Sequence, residues 1–399
     1  MIKIAIIGTK EYPIPNIRGG AIETLVTALI DENEKFHKMD IDLITIKCTG
    51  LDKVTETYRR TNFVLLNEQL FSLHIKEFLY RICRRLSGYR LSYRDRHMMA
   101  ANEYLKKHTY DVVVFENTAL DMMQACTYGT AKNFFHIHAD YINKELKGIE
   151  SFCKHCDLLV GVSDFISKRL ETLPYMDGKT RTLKNAIDTT MYGKERYVDF
   201  RIEMRKKYGF HDCEKVILYC SRLSREKGIL ELVKAVQKVP ECKLLIVGGE
   251  NFSSDKMTEY TQELQIEIQK IKNRVVMTGY IPHDDVPKYM SIADIGAIPS
   301  VCNEAASLTL LEMRSSGLPT IASRRGGIPE YCSEETTILV DTDDNFIDHL
   351  AEGIRILCTN NELYAKMQMV ASQEMEQFDY SNYYWRFVNM IKREIKYAD

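Results

Sequence analysis

Long hydrophobic runs are missing from this chain, and none approaches the roughly 18 residues that a membrane-spanning helix requires. Net charge is nearly missing too. With 54 Lys and Arg against 56 Asp and Glu, the formal value is −2, which gives no global pull toward nucleic acid or an anionic membrane. Only 9 prolines interrupt 399 residues, of which 45% are hydrophobic. That is the composition of an ordinary globular protein long enough for two domains and a large core. Met1 to Gly8 reads as an apolar strand entering a polar loop, without the longer apolar region and cleavage site of a secretion signal. A cytoplasmic enzyme is the expectation. The 11 cysteines are scattered and odd in number, as suits a reducing compartment. Cys153 and Cys156 have metal-like spacing, yet no second pair stands at a finger-like distance, so no zinc is assigned to them.

The G-x-G-x-x-G fingerprint is absent after the first strand of either half, which argues against an NAD dehydrogenase. The first strand leads instead into a loop from Thr9 to Gly20 and a helix from Ala21, the βα order of a nucleotide-binding sheet. Gly19-Gly20 stands at the start of that helix, where missing side chains allow a ligand to approach the backbone; a Gly-Gly pair before a helix is most often just a turn. Further buried-type strands are predicted at 41–46, 112–115, 134–136 and 158–162 in the first half. In the second half they fall at 216–219, 244–247 and 275–278. His138 lies just past the 134–136 strand, at the sheet edge where α/β proteins place ligands. His136 lies within the strand and reads as core.

Ile298 to Tyr331 carries the most chemistry. It reads as a strand end, a loop, a helix starting near Ser307, a stop at Gly317, a strand over 319–322 and a glycine turn. Ser307, Leu308 and Thr309 are expected in the first helical turn, whose unpaired N–H groups and positive dipole end suit a phosphate. Glu304 before that turn and Glu312 beyond it can each bind hydroxyls. Upstream, Arg222 and Lys227 are two cations five apart at a strand's carboxyl end, able to converge on a diphosphate.

These stretches resemble retaining GT-B glycosyltransferases of the family-4 type. Glu304 and Glu312 resemble the E-x7-E signature, followed by Gly326-Gly327-Ile328-Pro329-Glu330. Ser221-Arg222-Leu223-Ser224-Arg225-Glu226-Lys227-Gly228 resembles G-R-L-x-x-x-K-G with serine for the first glycine, and Asn185-Ala186-Ile187-Asp188 resembles the N-G-x-D linker. Ala305-Ala306 replaces the aromatic-glycine pair that usually follows the first acid. The resemblance implies an α/β fold of two Rossmann-like doubly wound domains facing across a cleft. An acceptor domain would span 1–187, rejoined by a C-terminal helix 379–399, and a donor domain would span 188–378. It also implies a donor site of Gly19, Gly20, Ile281 near the base, the amides of Ser307, Leu308 and Thr309, and Glu312 on the ribose. His138, Arg222, Lys227 and Glu304 would act on the donor sugar and the phosphates, with no metal and no cofactor beyond the nucleotide sugar.

The expected activity is transfer of a hexose from a UDP- or GDP-linked donor to a hydroxyl of a glycan or lipid-linked saccharide. A nucleotide-sugar epimerase of the same fold, or a non-catalytic sugar-nucleotide-binding subunit, stays open. Asp40-Ile41-Asp42 and Asp341-Thr342-Asp343 read as a strand start and a surface turn, and neither is assigned to metal. From Lys76 to Lys107 nine Lys or Arg stand against three acids. That stretch reads either as a basic amphipathic face on anionic lipid or, more commonly, as a solvated face over a packed stripe. No nucleic-acid partner is expected.

Overall fold

The computed structural model describes residues 1–66, 96–118, 131–249 and 259–396. Arg81, Arg84 and Arg85, the heart of the basic stretch, lie outside the described residues. The described part of that stretch includes the helix Arg96–Leu105, which buries His97, Met98, Met99, Ala101 and Leu105. Among the described residues no helix is long and apolar enough to cross a membrane.

The chain forms two compact units, Met1–Asn185 with Tyr380–Asp399, and Ala186–Asp379. Among the described residues the first is built on seven strands: β1 (Ile2–Ile7), β2 (Met39–Ile46), β3 (Thr61–Leu66), β4 (Val112–Glu116), β5 (Lys132–Ile137), β6 (Leu158–Gly161) and β7 (Thr180–Thr182). Their order is β3-β2-β1-β4-β5-β6-β7, and every pairing is parallel. The second unit has β8 (Lys215–Cys220), β9 (Cys242–Val247), β10 (Val275–Gly279), β11 (Ile295–Ile298), β12 (Thr320–Ser323) and β13 (Thr337–Val340). These lie in the order β10-β9-β8-β11-β12-β13, again all parallel.

Parallel sheets are covered on both faces, so their central strands read as continuous apolar runs rather than alternating ones. Ile4, Ala5, Ile6 and Ile7 in β1 and Val216, Ile217 and Leu218 in β8 are wholly buried. Each large aliphatic among them contributes about 1.5–3 kcal/mol of burial. Helices supply the other surface. Ile229–Gln237 buries Ile229, Leu230, Leu232, Val233, Ala235 and Val236, and joins Leu350, Ile354 and Leu357 of the helix Phe346–Thr359 in one core. Strands β3, β7 and β13 have no counterpart in the sequence reading. β7 is only Thr-Arg-Thr, too short and polar to show a period, and exists because it pairs with β6 at the sheet edge.

The closing helix Tyr380–Lys396 packs in the first unit. Tyr383, Tyr384, Phe387, Val388 and Ile391 are buried, Tyr384 stacks on Phe36 at 5.7 Å between centroids, and its hydroxyl donates to Asn33 Oδ1 at 2.9 Å. An amphipathic seam of this kind, with the aromatics on one face, explains why the last residues return to the first unit.

Candidate functional site

In the second unit the chain leaves β8, builds outward through β9 and β10, and then crosses to start β11 on the other side of β8. The loops after β8 and β11 therefore part at the carboxyl edge, the topological position where open α/β sheets bind ligands. The loop after β8 carries Arg222 and Lys227. The loop after β11 carries Glu304 and runs into the helix Leu308–Ser315.

Backbone contacts lock these loops together. Val301 N donates to Glu226 O at 3.0 Å, and Gly327 N donates to Glu304 O at 2.7 Å. Two glycines make this possible. Gly228 has φ +69, and a Cβ there would meet Pro299 O at 1.7 Å; Gly326 has φ +56, and a Cβ would meet Glu304 O at 2.2 Å. Both positions thus demand left-handed backbone and no side chain. A Gly228→Ala variant is expected to lose about 1–3 kcal/mol, the range for a residue strained in this region, as a lower denaturation midpoint. Retention of the parent midpoint would show that the loops can separate freely.

The closure brings Lys227 and Glu304 together across 77 residues of sequence, with Nζ to Oε1 at 3.0 Å and side chains 21% and 9% exposed. Glu304 also accepts from the Ser300 hydroxyl. Arg222 shares the Lys227 loop, but its guanidinium lies 3.6 Å from Glu226, with both side chains largely exposed. Arg225, read as surface, faces solvent beside the Tyr260 ring.

The helix begins one residue later than expected. Ser307 is its N-cap, extended in backbone, with its hydroxyl accepting from Leu310 N at 3.3 Å. A cap of this kind satisfies one of the four orphan donors and leaves the N–H groups of Leu308 and Thr309 without helical partners. Just over one helical turn in, Glu312 is buried and accepts from His283 Nε2 at 3.0 Å. That hydrogen bond raises the His283 pKa against the opposing effect of burial. His283 and Ile281 both lie in the loop after β10, where Ile281 packs against the unit's core. The sequence reading missed His283; a lone exposed histidine in a Pro-His-Asp-Asp loop gives no sign of a partner 29 residues away.

In the first unit the same topology recurs, with the switch between β1 and β4. Gly19 and Gly20 have φ +92 and +110, and Gly20 is the N-cap of the helix Ala21–Phe36. Glu23, in that first turn, is buried and accepts from the Thr9 hydroxyl; burial raises its pKa. His138 comes just after β5. It lies with Glu116 at the end of β4 and with His136, the two rings reaching one carboxylate oxygen, Oε2, at 2.8 and 3.0 Å. Burial works against the Glu116 charge, but the two imidazoles outweigh it and hold its carboxyl at about 2. Burial, then His136, push the His138 imidazole down to about 4.

Those three side chains have ligand atoms within 4.8 Å of one another, a set chemically able to hold a metal. Their own hydrogen bonds already satisfy the atoms that converge. The two D-x-D strings have other work: Asp42 accepts from Asn62, Tyr104 and Tyr110, and Asp341 pairs with Arg324 at 3.0 Å. The structure thus gathers Arg222, Lys227, Glu304, Ser307, Leu308, Thr309, Glu312 and Ile281 on one sheet edge of the second unit. Gly19, Gly20 and His138 belong to the corresponding edge of the first.

Residues 200–373 match the family described as glycosyl transferases group 1. The chain has the GT-B fold, and this match together with its named glycosyltransferase relatives makes it a glycosyltransferase enzyme. It is 25% identical to the putative glycosyltransferase YtcC of Bacillus subtilis strain 168 over 387 residues, 94% of this chain and 88% of that one. It is also 25% identical to spore coat protein SA of the same organism over 403 residues, 97% of each chain. Among solved structures it is similar in fold to Anabaena Alr3699/HepE in complex with UDP. The TM-score is 0.73 and the identity 17%, over 98% of this chain and all of that one.

Proposed function

We propose that this chain moves a hexose from a UDP- or GDP-linked donor to a hydroxyl of a glycan or lipid-linked saccharide, retaining configuration at the anomeric carbon. The observation that supports this most is the Lys227–Glu304 pair at the switch point, in the loops that lead to the open amides of Leu308 and Thr309. Breaking the bond from the anomeric carbon to the diphosphate leaves negative charge on phosphate oxygens. A fixed cation and fixed N–H groups stabilise that charge more than they stabilise the bound donor, which is what lowers a barrier. Lys227, the two amides and Arg222 are assigned this part, and His138 is assigned to the reaction from the first unit. Glu304, paired with Lys227 and hydrogen-bonded by Ser300, is assigned to the donor sugar as a hydrogen-bond acceptor. No metal is invoked in this scheme.

Incubation with labelled UDP- and GDP-hexoses and lipid-linked saccharides tests the reading. Free nucleotide plus a labelled product of unchanged anomeric configuration is expected; a changed sugar still attached to its nucleotide would replace transfer with epimerisation. Glu312 is assigned to the ribose, its Oε1 held by His283 and its other oxygen left for a hydroxyl. A Glu312→Ala variant is expected to bind UDP or GDP about ten- to a hundredfold more weakly, the equivalent of one hydrogen bond to a charged group. Equal dissociation constants by calorimetry would remove Glu312 from the nucleoside site.

A further inference from the structure

Glu116 ends β4 and lies opposite His136 in the β4–β5 register. His136 and His138, two apart along an extended chain, present their rings on the same side, with centroids 4.1 Å apart. The side chains of Glu116, His136 and His138 are 1%, 2% and 7% exposed. An ionised carboxylate can only accept hydrogen bonds. Since both rings meet its Oε2, both must donate, His136 through Nδ1–H and His138 through Nε2–H.

The consequence for His138 is a defined tautomer. With its proton on Nε2, the neutral ring carries a bare lone pair on Nδ1, and the second ring nitrogen's role is set by the bond the first one makes. Burial, the largest influence on the imidazole, keeps it neutral at ordinary pH. Among the described residues, Glu23 from the helix Ala21–Phe36 also acts on Glu116 through its charge. Its carboxyl adds negative potential, while its own hydrogen bond is to Thr9. The main chain holds His138 as well, since His138 N donates to Asn117 Oδ1 at 3.3 Å and Tyr141 hydroxyl donates to Asn117 O at 3.2 Å. Two atoms of the cluster, Glu116 Oε1 and His136 Nε2, are buried with no partner among the described residues.

We infer that Glu116 is a positioning residue: it fixes His138 as a neutral imidazole whose Nδ1 accepts a hydrogen bond from a substrate hydroxyl during glycosyl transfer. His136 shares the carboxylate and keeps it from turning away. This rests on the transferase reading above, and it assigns His138 the part of an acceptor, never of an acid.

Nitrogen-15 spectra of histidine-labelled protein, with His138→Gln to assign the resonance, read the tautomer directly and need no turnover. The wild-type ring is expected to be neutral and protonated on Nε2 at pH 7. In Glu116→Gln the amide is neutral, the ring is free to take the other tautomer, and kcat is expected to fall about tenfold, the equivalent of one lost hydrogen bond, with donor KM little changed. Glu116→Asp restores the charge and should return part of the rate, and it carries the test where the glutamine variant does not fold. A protonated or Nδ1–H ring in the wild type overturns the inference. So does a folded Glu116→Gln enzyme with parental kcat. If the wild type transfers no sugar, the transferase reading fails while the spectra still judge the tautomer.

Discussion

In a Lys227→Ala variant, turnover is expected to fall by roughly 10²–10³-fold, the usual loss when one preorganised donor to developing charge is removed. The ammonium stands 3.0 Å from Glu304 in a site where both groups are mostly withdrawn from water, so its field on a nearby phosphate is screened less than at a free surface. Donor KM should rise less than kcat falls, because the charge that Lys227 meets is greatest as the diphosphate leaves. The fold should survive. The loop is held by backbone bonds such as Val301 N to Glu226 O and Gly327 N to Glu304 O, and Ser300 still donates to the Glu304 carboxylate. Lys227→Arg keeps the charge and should recover part of the rate. Steady-state kinetics beside a melting curve decide it: parental kcat in a folded Lys227→Ala enzyme would take Lys227 out of the chemistry.

The largest stability effect is expected at Asp294, which stands just before β11. Its carboxylate accepts from Arg201 Nη2 at 2.7 Å, from Arg205 Nη1 at 3.0 Å and from Val216 N at 2.9 Å. Arg205 is itself buried and directs its remaining donors to carbonyls of Ile292, His211 and Glu214. Asp294→Ala therefore leaves a buried guanidinium and a strand N–H without their anion, a change that costs about 3–5 kcal/mol. Burial alone would raise the Asp294 pKa, but the two arginines, Lys194 and the Val216 N–H lower it. A carboxyl lowered on folding adds stability above its unfolded value near 3.8, and that stability is lost as pH falls through the folded value. Urea titrations should show the wild type losing stability below about pH 4, with the gap between wild type and Asp294→Ala closing over the same range. A gap that stays constant down to low pH would mean that the carboxylate's charge contributes nothing.

Much of the scaffold is readable from sequence because central parallel strands are buried on both faces, so β1, β4, β8 and β11 stand out as short apolar runs bounded by polar or glycine turns. The phosphate-facing motifs are readable for a related reason. A loop that leaves a buried strand and enters a helix has few backbone solutions, and each leaves a recognisable pattern of glycine, cation and cap. Ser307 illustrates the limit of that pattern: its hydroxyl makes it the cap, a one-residue shift that only the backbone geometry settles. β7 is unreadable because three polar residues become a strand only when β6 is beside them.

Fold class and the chemical kinds of group available at the sheet edges follow from residue order, since burial periodicity and turn chemistry are local properties of neighbouring residues. Tertiary structure alone decided who meets whom. Lys227 finds Glu304, His283 finds Glu312 and Glu116 joins two histidines through strand order and loop closure. Those depend on contacts between residues far apart in the chain, where spacing in sequence carries no information about distance.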